Sequence, residues 1–424
     1  MQNQGSIFQL QPSQREYKSP TPGNITLFAM NPTGMDTVIS ESICSKLKGA
    51  NFTTLGASIS LPHIVESLNN CFAAGLPLFL QNYNLIYYTK NFVTDYTNYP
   101  GLGGWLLSRG IRNYNYNYNP EPDGSSCDKE GETPIYDLVN ANKIITEMDN
   151  HPVFIGMSAD WEYNAYGEDC GESFTERVKI IERDFSPTFW PYLYLPDVSL
   201  SPGDENELLE REKTYYKNLR YFGYVAQYTA TVFWTFVRCR ALNNYYGYYG
   251  SLPSEETMRG LVFSSLAYGA QGVCYWQLKD VLDNSEMMAK IARINREVLL
   301  YNHVFCGCEV MDTRHFCQNR DLGDAVKIMH NAIGPLEEVI PTNNPNNNSV
   351  NLLISQIFND EQNYLVIVAS PFINGDQSFQ LKFNSYWDII EFETFENRIL
   401  NKTLTDYNPT YSLKPGSYLI FRWN

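Results

Sequence analysis

The sequence has 424 residues, more than one hydrophobic core usually supports, so two domains are expected. Its 31 basic and 47 acidic residues give a formal net charge of −16, which argues against nucleic acid and against anionic membrane surfaces as partners. Aromatic residues make up 14% of the chain, and many of its 31 tyrosines fall in polar segments, where flat amphipathic rings suit stacking on sugars or on partner surfaces.

Short apolar segments alternate with helical patterns over most of the first 310 residues, while residues 1–22 remain unassigned. Eight of these segments are predicted strands, because they are short, apolar and rich in β-branched or aromatic residues. They are Ile25–Met30, Phe52–Ala57, Leu76–Gln81, Gly103–Leu107, Val153–Met157, Phe189–Leu195, Thr231–Val237 and Val273–Leu278. Parallel βα units are the expected consequence, and eight of them predict a closed (β/α)8 TIM barrel over residues 23–310.

The segments between the strands carry apolar residues at helical spacing. Predicted helices lie at 37–48, 62–74, 136–149, 173–185, 205–227 and 254–268, and a closing helix runs from Met287 to Phe305. The interval 84–99 has a mixed pattern. Ser254 is a predicted helix cap, and Gly269 is the predicted residue past the end of that helix, where a positive φ costs glycine little.

The pattern changes after residue 311. Strand-like runs in "SVNLLISQIFNDEQNYLVIVASPF" flank the polar segment 359–363, which is typical of a hairpin, and further strand-like runs follow without helical periodicity. We therefore predict a linker at 311–324 and a small antiparallel β-sandwich at 325–424. No apolar segment is long enough to span a membrane, and the N-terminus has no signal-peptide pattern.

The C-terminal ends of barrel strands are where a TIM barrel builds its site. Rings, amides and guanidinium groups at those ends suit the faces and hydroxyls of sugars, so the expected ligand is an oligosaccharide or polysaccharide. The predicted ligand contacts are Asn82, Tyr83, Arg109, Trp161, Trp234, Arg238, Trp276 and Gln277.

Several segments resemble a known family. "MRGLVFSSLAYGAQGVCYWQL" at 258–278 is similar to the seventh helix and eighth strand of clan A glycoside hydrolases of the β-galactosidase-like type. "YPGLGGWLL" and "TVFWTFVRCR" resemble the fourth and seventh strands of that group, and "LKPGSYLIF" its appended sandwich. The resemblance implies hydrolysis of O-glycosyl bonds and a secreted, periplasmic or cell-surface location.

The sequence departs from that family where catalysis takes place. The fourth strand of the group usually runs into Asp-Glu-Pro, whose glutamate is the general acid, whereas here it runs into Ser108-Arg109-Gly110. On the sixth strand Leu193 stands where an aspartate is usual, and Trp234-Thr235-Phe236 on the seventh contains no nucleophilic glutamate. The general acid is therefore absent from its usual position.

Other carboxylates are predicted near the barrel mouth. If catalysis survives, we expect Glu162 to act with either Asp160 or Glu121, since a glycosidase needs two facing carboxyl groups. Asp160 and Glu162 are two residues apart just past a strand, so an extended chain would point both to the same side. The alternative for Asp160 is a structural role, as a helix cap or as the partner of a loop arginine.

Three functions are consistent with the sequence. The first is a carbohydrate-binding barrel that has lost its acid, with sugars containing uronic acid as the preferred ligand because Arg109 can grip a carboxylate. The second is an active glycoside hydrolase with relocated carboxylates, and the third is a non-enzymatic interaction module. No cofactor or metal is expected, because the histidines and cysteines lack metal-site spacing. The sequence does not set the oligomeric state.

Overall fold

The computed structural model describes residues 23–34, 37–82, 84–108, 135–158, 188–192, 205–229, 232–239, 252–276, 278–342, 349–395 and 398–424. Eight parallel strands close into a barrel in sequence order, with the eighth pairing with the first, which confirms the predicted TIM barrel. They are β1 Thr26–Met30, β2 Thr54–Ser58, β3 Leu78–Gln81, β4 Leu102–Ser108, β5 Val153–Ser158, β6 Thr188–Tyr192, β7 Val232–Arg238 and β8 Gly272–Trp276.

Helices follow the barrel strands wherever the chain is described. They are α1 Glu41–Gly49, α2 Ile64–Ala74, α3 Asn84–Tyr87, α4 Thr89–Tyr96, α5 Ile135–Met148, α6 Glu205–Thr229, α7 Glu255–Ala267, α8 Ser285–Leu300 and α9 Asn302–Phe305. The interval with the mixed pattern forms two short helices, α3 and α4, and the helix predicted at 173–185 lies outside the described residues. Ser254 caps α7 by accepting a hydrogen bond from the Thr257 amide, and Gly269 has φ +92° just past its end, both as predicted.

Aromatic rings fill the barrel interior because glycines on neighbouring strands leave room for them. The Phe79 ring centroid lies 4.4 Å from that of Phe154, which lies 4.2 Å from that of Trp234. A Cβ atom on Gly104 would overlap the Phe79 ring, standing 2.5 Å from its Cδ1, and one on Gly272 would stand 2.6 Å from the Trp234 ring. Such distances are far below van der Waals contact, so each of these rings needs a glycine opposite it.

Two antiparallel sheets form the C-terminal sandwich. Its strands are β9 Glu309–Cys317, β10 Leu336–Pro341, β11 Asn351–Asn359, β12 Gln362–Ala369, β13 Gln377–Phe383, β14 Ile389–Phe395, β15 Arg398–Thr403, β16 Thr410–Leu413 and β17 Tyr418–Trp423. The larger sheet has the order β15-β14-β17-β12-β11-β9, and the smaller has the order β10-β13-β16. No helix occurs in the described part of 350–424, which agrees with the sequence prediction.

The prediction of a linker at 311–324 is corrected in part by the structure. Its first half, 311–317, belongs to β9, which pairs along β11 as an edge strand of the larger sheet. Most residues of β9 are half-exposed because it is an edge strand. It lacks the continuous run of buried residues found in β11 and β12. A strand with so little apolar character carries a weak sequence signal.

The inner strands β11 and β12 of the larger sheet are buried on both faces. Leu365 and Ile367 of β12 belong to the core between the two sheets, whereas Val366 and Val368 belong to the core shared with the barrel. The Phe263 ring of α7 stacks on the Tyr418 ring of β17 with the centroids 3.7 Å apart. The alternating residues of one strand therefore hold the sandwich together and fix it to the barrel.

Polar groups are also buried between barrel and sandwich. The Glu212 carboxylate of α6 is fully buried, lies 2.9 Å from Arg320 Nε and accepts a hydrogen bond from Ser370 Oγ at 2.8 Å. His315 of β9 is 2% exposed, and its Nε2 lies 2.9 Å from the Tyr268 hydroxyl. Burial lowers the pKa of His315 to about 3, so the ring is neutral near neutral pH. No helix in the described ranges is both long and apolar enough to cross a membrane.

Gly104→Ala is expected to lower the melting temperature. The added Cβ would meet the Phe79 ring and also stand 2.6 Å from the Pro152 carbonyl oxygen, which is backbone and cannot swing away. Overpacking of this kind costs about 1–3 kcal/mol of unfolding free energy. Thermal unfolding followed by circular dichroism measures the effect. Gly49→Ala is the control, because nothing lies within 4 Å of its added Cβ, and equal shifts in the two variants would contradict the packing argument.

His315 is expected to make the protein less stable as the pH falls from 6.5 towards 3. The unfolded histidine takes up a proton below its ordinary pKa of about 6.5, whereas the folded ring stays neutral down to about 3. Between those limits the free energy of unfolding falls, through this histidine alone, by up to about 1.4 kcal/mol per pH unit. Urea midpoints measured at several pH values test this. His315→Gln should have a shallower decline over this window, and an unchanged slope would refute the role of the histidine.

Candidate functional site

The mouth of the barrel is formed where its parallel strands end. Ser58, Gln81 and Ser108 end β2, β3 and β4, and Arg238 and Trp276 are ladder partners at the ends of β7 and β8. These ends meet at one face because all eight strands run in the same direction. Below them the described aromatic rings pack together in the barrel interior, so a ligand site built on this barrel is expected at the mouth.

Asn31 directly follows β1 and has a strained backbone. Its φ is +46°, a left-handed conformation that asparagine tolerates better than most residues. Its amide donates to the Gly56 carbonyl at 2.8 Å, and its carbonyl accepts from the Lys279 amide at 3.1 Å. The turn therefore fastens the segment after β8 to the start of the β1–α1 connection. Strain held in this way is typical of functional sites.

Thr33 was not among the predicted contacts. It is 8% exposed, two residues beyond Asn31, and its Oγ1 is buried without a hydrogen-bond partner among the described residues. A buried hydroxyl of this kind has hydrogen-bonding capacity that a ligand or water can satisfy. The sequence signal for this position was the turn "NPTG" directly after the first strand, which marks a loop at the mouth.

Asn82 directly follows β3 at the mouth of the barrel, and its side-chain amide forms hydrogen bonds within the protein. Its Nδ2 donates to the Ile59 carbonyl at 2.5 Å, and its Oδ1 accepts from the Asn84 amide at 2.9 Å. These bonds fasten the end of β2 to the start of α3. The amide retains one donor and one acceptor site beyond these two bonds, so a ligand contact is compatible with its positioning role.

Trp234 is placed away from the predicted pocket. It pairs with Gly272, the first residue of β8, which in turn pairs with Thr26 at the start of β1. It therefore lies at the N-terminal end of the barrel. Its side chain is fully buried among the interior rings. The prediction was wrong because Trp234 was taken as a residue at the mouth end of β7, whereas it lies near the start of that strand.

The structure leaves most other predicted site residues untested. Tyr83, Arg109, Glu121, Asp160, Trp161, Glu162 and Gln277 lie outside the described residues. For Arg238 and Trp276 the backbone alone is described, and it places both at the mouth end of their strands. Their grouping in one pocket stays a prediction.

An acidic group with strong hydrogen bonds lies at the opposite end of the barrel. Asp149 precedes β5 and accepts from Trp105 Nε1 at 2.6 Å, and His151 Nδ1 lies 2.8 Å from its Oδ1. Burial alone would raise the pKa of Asp149, but hydrogen bonds from Trp105 and His151 outweigh it and lower the pKa below its ordinary value. The carboxylate is a structural acceptor beneath β4. No cluster of three or more metal-ligating side chains occurs within the described ranges.

Comparison with known proteins identifies the fold through structure alone. No protein-family model matches the sequence, and no curated protein matches it either. An α-amylase from Geobacillus thermoleovorans, solved with acarbose, is similar over 95% of this chain and 98% of its own, with 8% identity and a TM-score of 0.52. A putative α-galactosidase from Bacteroides fragilis is similar over 95% of this chain and 79% of its own, with 8% identity and a TM-score of 0.51.

A glycoside hydrolase of family 5 from Bacteroides vulgatus gives the same result. It is similar over 94% of this chain and 88% of its own, with 10% identity and a TM-score of 0.52. Matches of this extent include the sandwich as well as the barrel. The chain therefore has the overall fold of solved glycoside hydrolases, a TIM barrel followed by a β-sandwich, as the sequence resemblance implied.

Proposed function

We propose that this protein binds an oligosaccharide or polysaccharide at the mouth of its barrel and hydrolyses glycosidic bonds weakly or not at all. The observation that carries the proposal is the composition of the barrel strands. None of the eight contains an aspartate or a glutamate, and Arg238 is the one charged residue in them.

Glycoside hydrolysis normally needs one carboxyl group to protonate the leaving oxygen and another to attack or to activate water. The two groups stand about 5–5.5 Å apart for retention and roughly 6.5–9.5 Å apart for inversion. Such spacing is easiest to maintain when the carboxylates are fixed at strand ends, because packing holds their side chains. Here β4 ends in Ser108 and β7 ends in Arg238, so any catalytic pair has to come from the connections beyond the strands.

Arg109 directly follows β4 and weakens the case for a replacement acid. A neighbouring positive charge favours the ionised carboxylate and lowers its pKa, whereas a general acid must hold its proton near neutral pH. The same guanidinium suits a binding site, because its planar fork can bind a carboxylate in two places. Sugars that contain uronic acid are therefore the proposed ligands.

An active hydrolase remains the second candidate, with Glu162 paired with Asp160 or with Glu121. The structural neighbours favour it in one respect, since the three proteins compared above are named as amylase, putative galactosidase and glycoside hydrolase. Their fold is shared, but catalytic function depends on the site rather than on the fold.

Turnover of aryl glycosides and of neutral or acidic oligosaccharides is expected to be very slow. The loss of a positioned general acid typically removes a factor of about 10²–10⁴ in rate. Steady-state assays of the full chain across such a panel measure it. Glu162→Gln should leave any residual rate unchanged. Robust turnover that disappears in Glu162→Gln would establish the active-hydrolase alternative instead.

Arg109→Ala is expected to weaken binding of uronic-acid oligosaccharides by about tenfold or more, because it removes a charge-assisted hydrogen bond pair. Neutral oligosaccharides of equal length should lose much less. Titration calorimetry on both ligands gives the comparison. Lys414→Ala, which removes one exposed cation from the sandwich, is the matched control and should change neither affinity. Unchanged binding of the acidic sugar by Arg109→Ala would exclude this role of the arginine.

A further inference from the structure

The sandwich presents two neighbouring aromatic residues on a surface turn far from the barrel. Residues 384–388, here called the aromatic turn, connect β13 to β14 and include Tyr386 and Trp387. Tyr386 is 93% exposed and Trp387 is 40% exposed. A ring as exposed as that of Tyr386 contributes almost nothing to the buried apolar area, so the folding of the sandwich does not account for it.

Hydrogen bonds hold the backbone of this turn in place. The Tyr386 amide donates to Asn384 Oδ1 at 3.0 Å, and the Asn384 amide donates to the Pro335 carbonyl at 2.9 Å. The Tyr407 hydroxyl donates to the Trp387 carbonyl at 3.3 Å. The turn is therefore anchored to two neighbouring segments. Aromatic side chains have few rotatable bonds, so presenting them on an anchored backbone reduces the entropy that binding would cost.

Exposed acidic residues adjoin the aromatic turn. Asp388 and Asp406 are exposed within the aromatic turn and in the neighbouring segment before Tyr407. The nearby Lys382 is paired with Glu337, with its Nζ 3.5 Å from the carboxylate. Local charge thus disfavours an anionic ligand, as does the net charge of −16. Flat rings bordered by hydrogen-bond acceptors match the apolar face and the hydroxyl edge of an uncharged sugar.

We propose that the aromatic turn is a second carbohydrate-binding site, specific for neutral polysaccharides. It lies on the sandwich, whereas the mouth is formed by the ends of the barrel strands. The far end of β14 contacts the barrel, since Thr394 Oγ1 lies 2.8 Å from the Tyr301 hydroxyl. Ile389, where the aromatic turn ends, is five residues from Thr394, so at about 3.4 Å per residue the turn lies about 17 Å along the strand from that contact. This inference does not depend on the function proposed for the barrel.

Affinity electrophoresis of the full chain tests the site. Native gels contain galactomannan, xyloglucan or amylopectin as neutral probes and polygalacturonate as the acidic probe. All variants are compared with the unaltered chain, in which the barrel mouth is the same, so a difference in retardation reports the aromatic turn. We expect retardation in at least one neutral gel. Tyr386→Ala and Trp387→Ala should each weaken the apparent affinity by about tenfold, equivalent to about 1.4 kcal/mol.

Leu400→Ala is the matched control, because Leu400 is 42% exposed on β15 of the same domain and outside the turn. It should leave retardation unchanged. The near-complete exposure of Tyr386 means that its truncation removes no core packing, so a loss of binding cannot be ascribed to unfolding. The proposal is overturned if no neutral gel retards the chain, or if Tyr386→Ala migrates like its parent. It is also overturned if Tyr386→Ala alters only the oligomeric state in size-exclusion chromatography, which would make the turn a protein contact.

Discussion

The closed aromatic interior of the barrel is the constraint on which the rest of the structure depends. Rings on β1, β3, β5 and β7 form one cluster, and glycines on β2, β4 and β8 provide the space that these rings occupy. Large residues from alternate strands placed opposite small ones fill such a barrel to the density of a protein interior. The described rings occupy the barrel interior, so a ligand is expected at the loops of one face rather than inside the barrel.

This packing also determines the electrostatics of the candidate site. Strand positions occupied by glycine and aromatic side chains are not available to carboxylates, and none of the barrel strands contains one. Carboxylates at the mouth must then come from the loops, where side chains are held less firmly than on strands. Ligand binding tolerates less firmly fixed side chains better than acid catalysis does, because acid catalysis requires a proton within hydrogen-bond reach of the leaving oxygen.

The sequence predicted the fold well because its signals were local and repeated. Eight apolar segments separated by helical patterns were enough to identify the barrel, and Ser254 and Gly269 marked the ends of α7. The edge strand β9 was mistaken for a linker because its half-exposed residues lack strong periodicity. Trp234 was assigned to the pocket because composition alone does not tell which end of a strand a residue occupies, whereas the ladder with Gly272 does.

Close packing fixes the position of the sandwich on the barrel. The inner strands of its larger sheet are buried on both faces, and Gly416, with φ +71°, approaches α7 so closely that a Cβ there would stand 2.8 Å from the Glu256 carbonyl carbon. Contact this close leaves little room for the sandwich to slide along α7. The aromatic turn is consequently carried at a fixed distance from the mouth. The two proposed sites prefer different sugars, so they would reinforce each other only on a long polymer that carries both uronic-acid and neutral residues and spans both sites, because the second contact then forms at high effective concentration. Short oligosaccharides cannot benefit in this way, so the two proposals together favour a polymer of this mixed kind as the ligand.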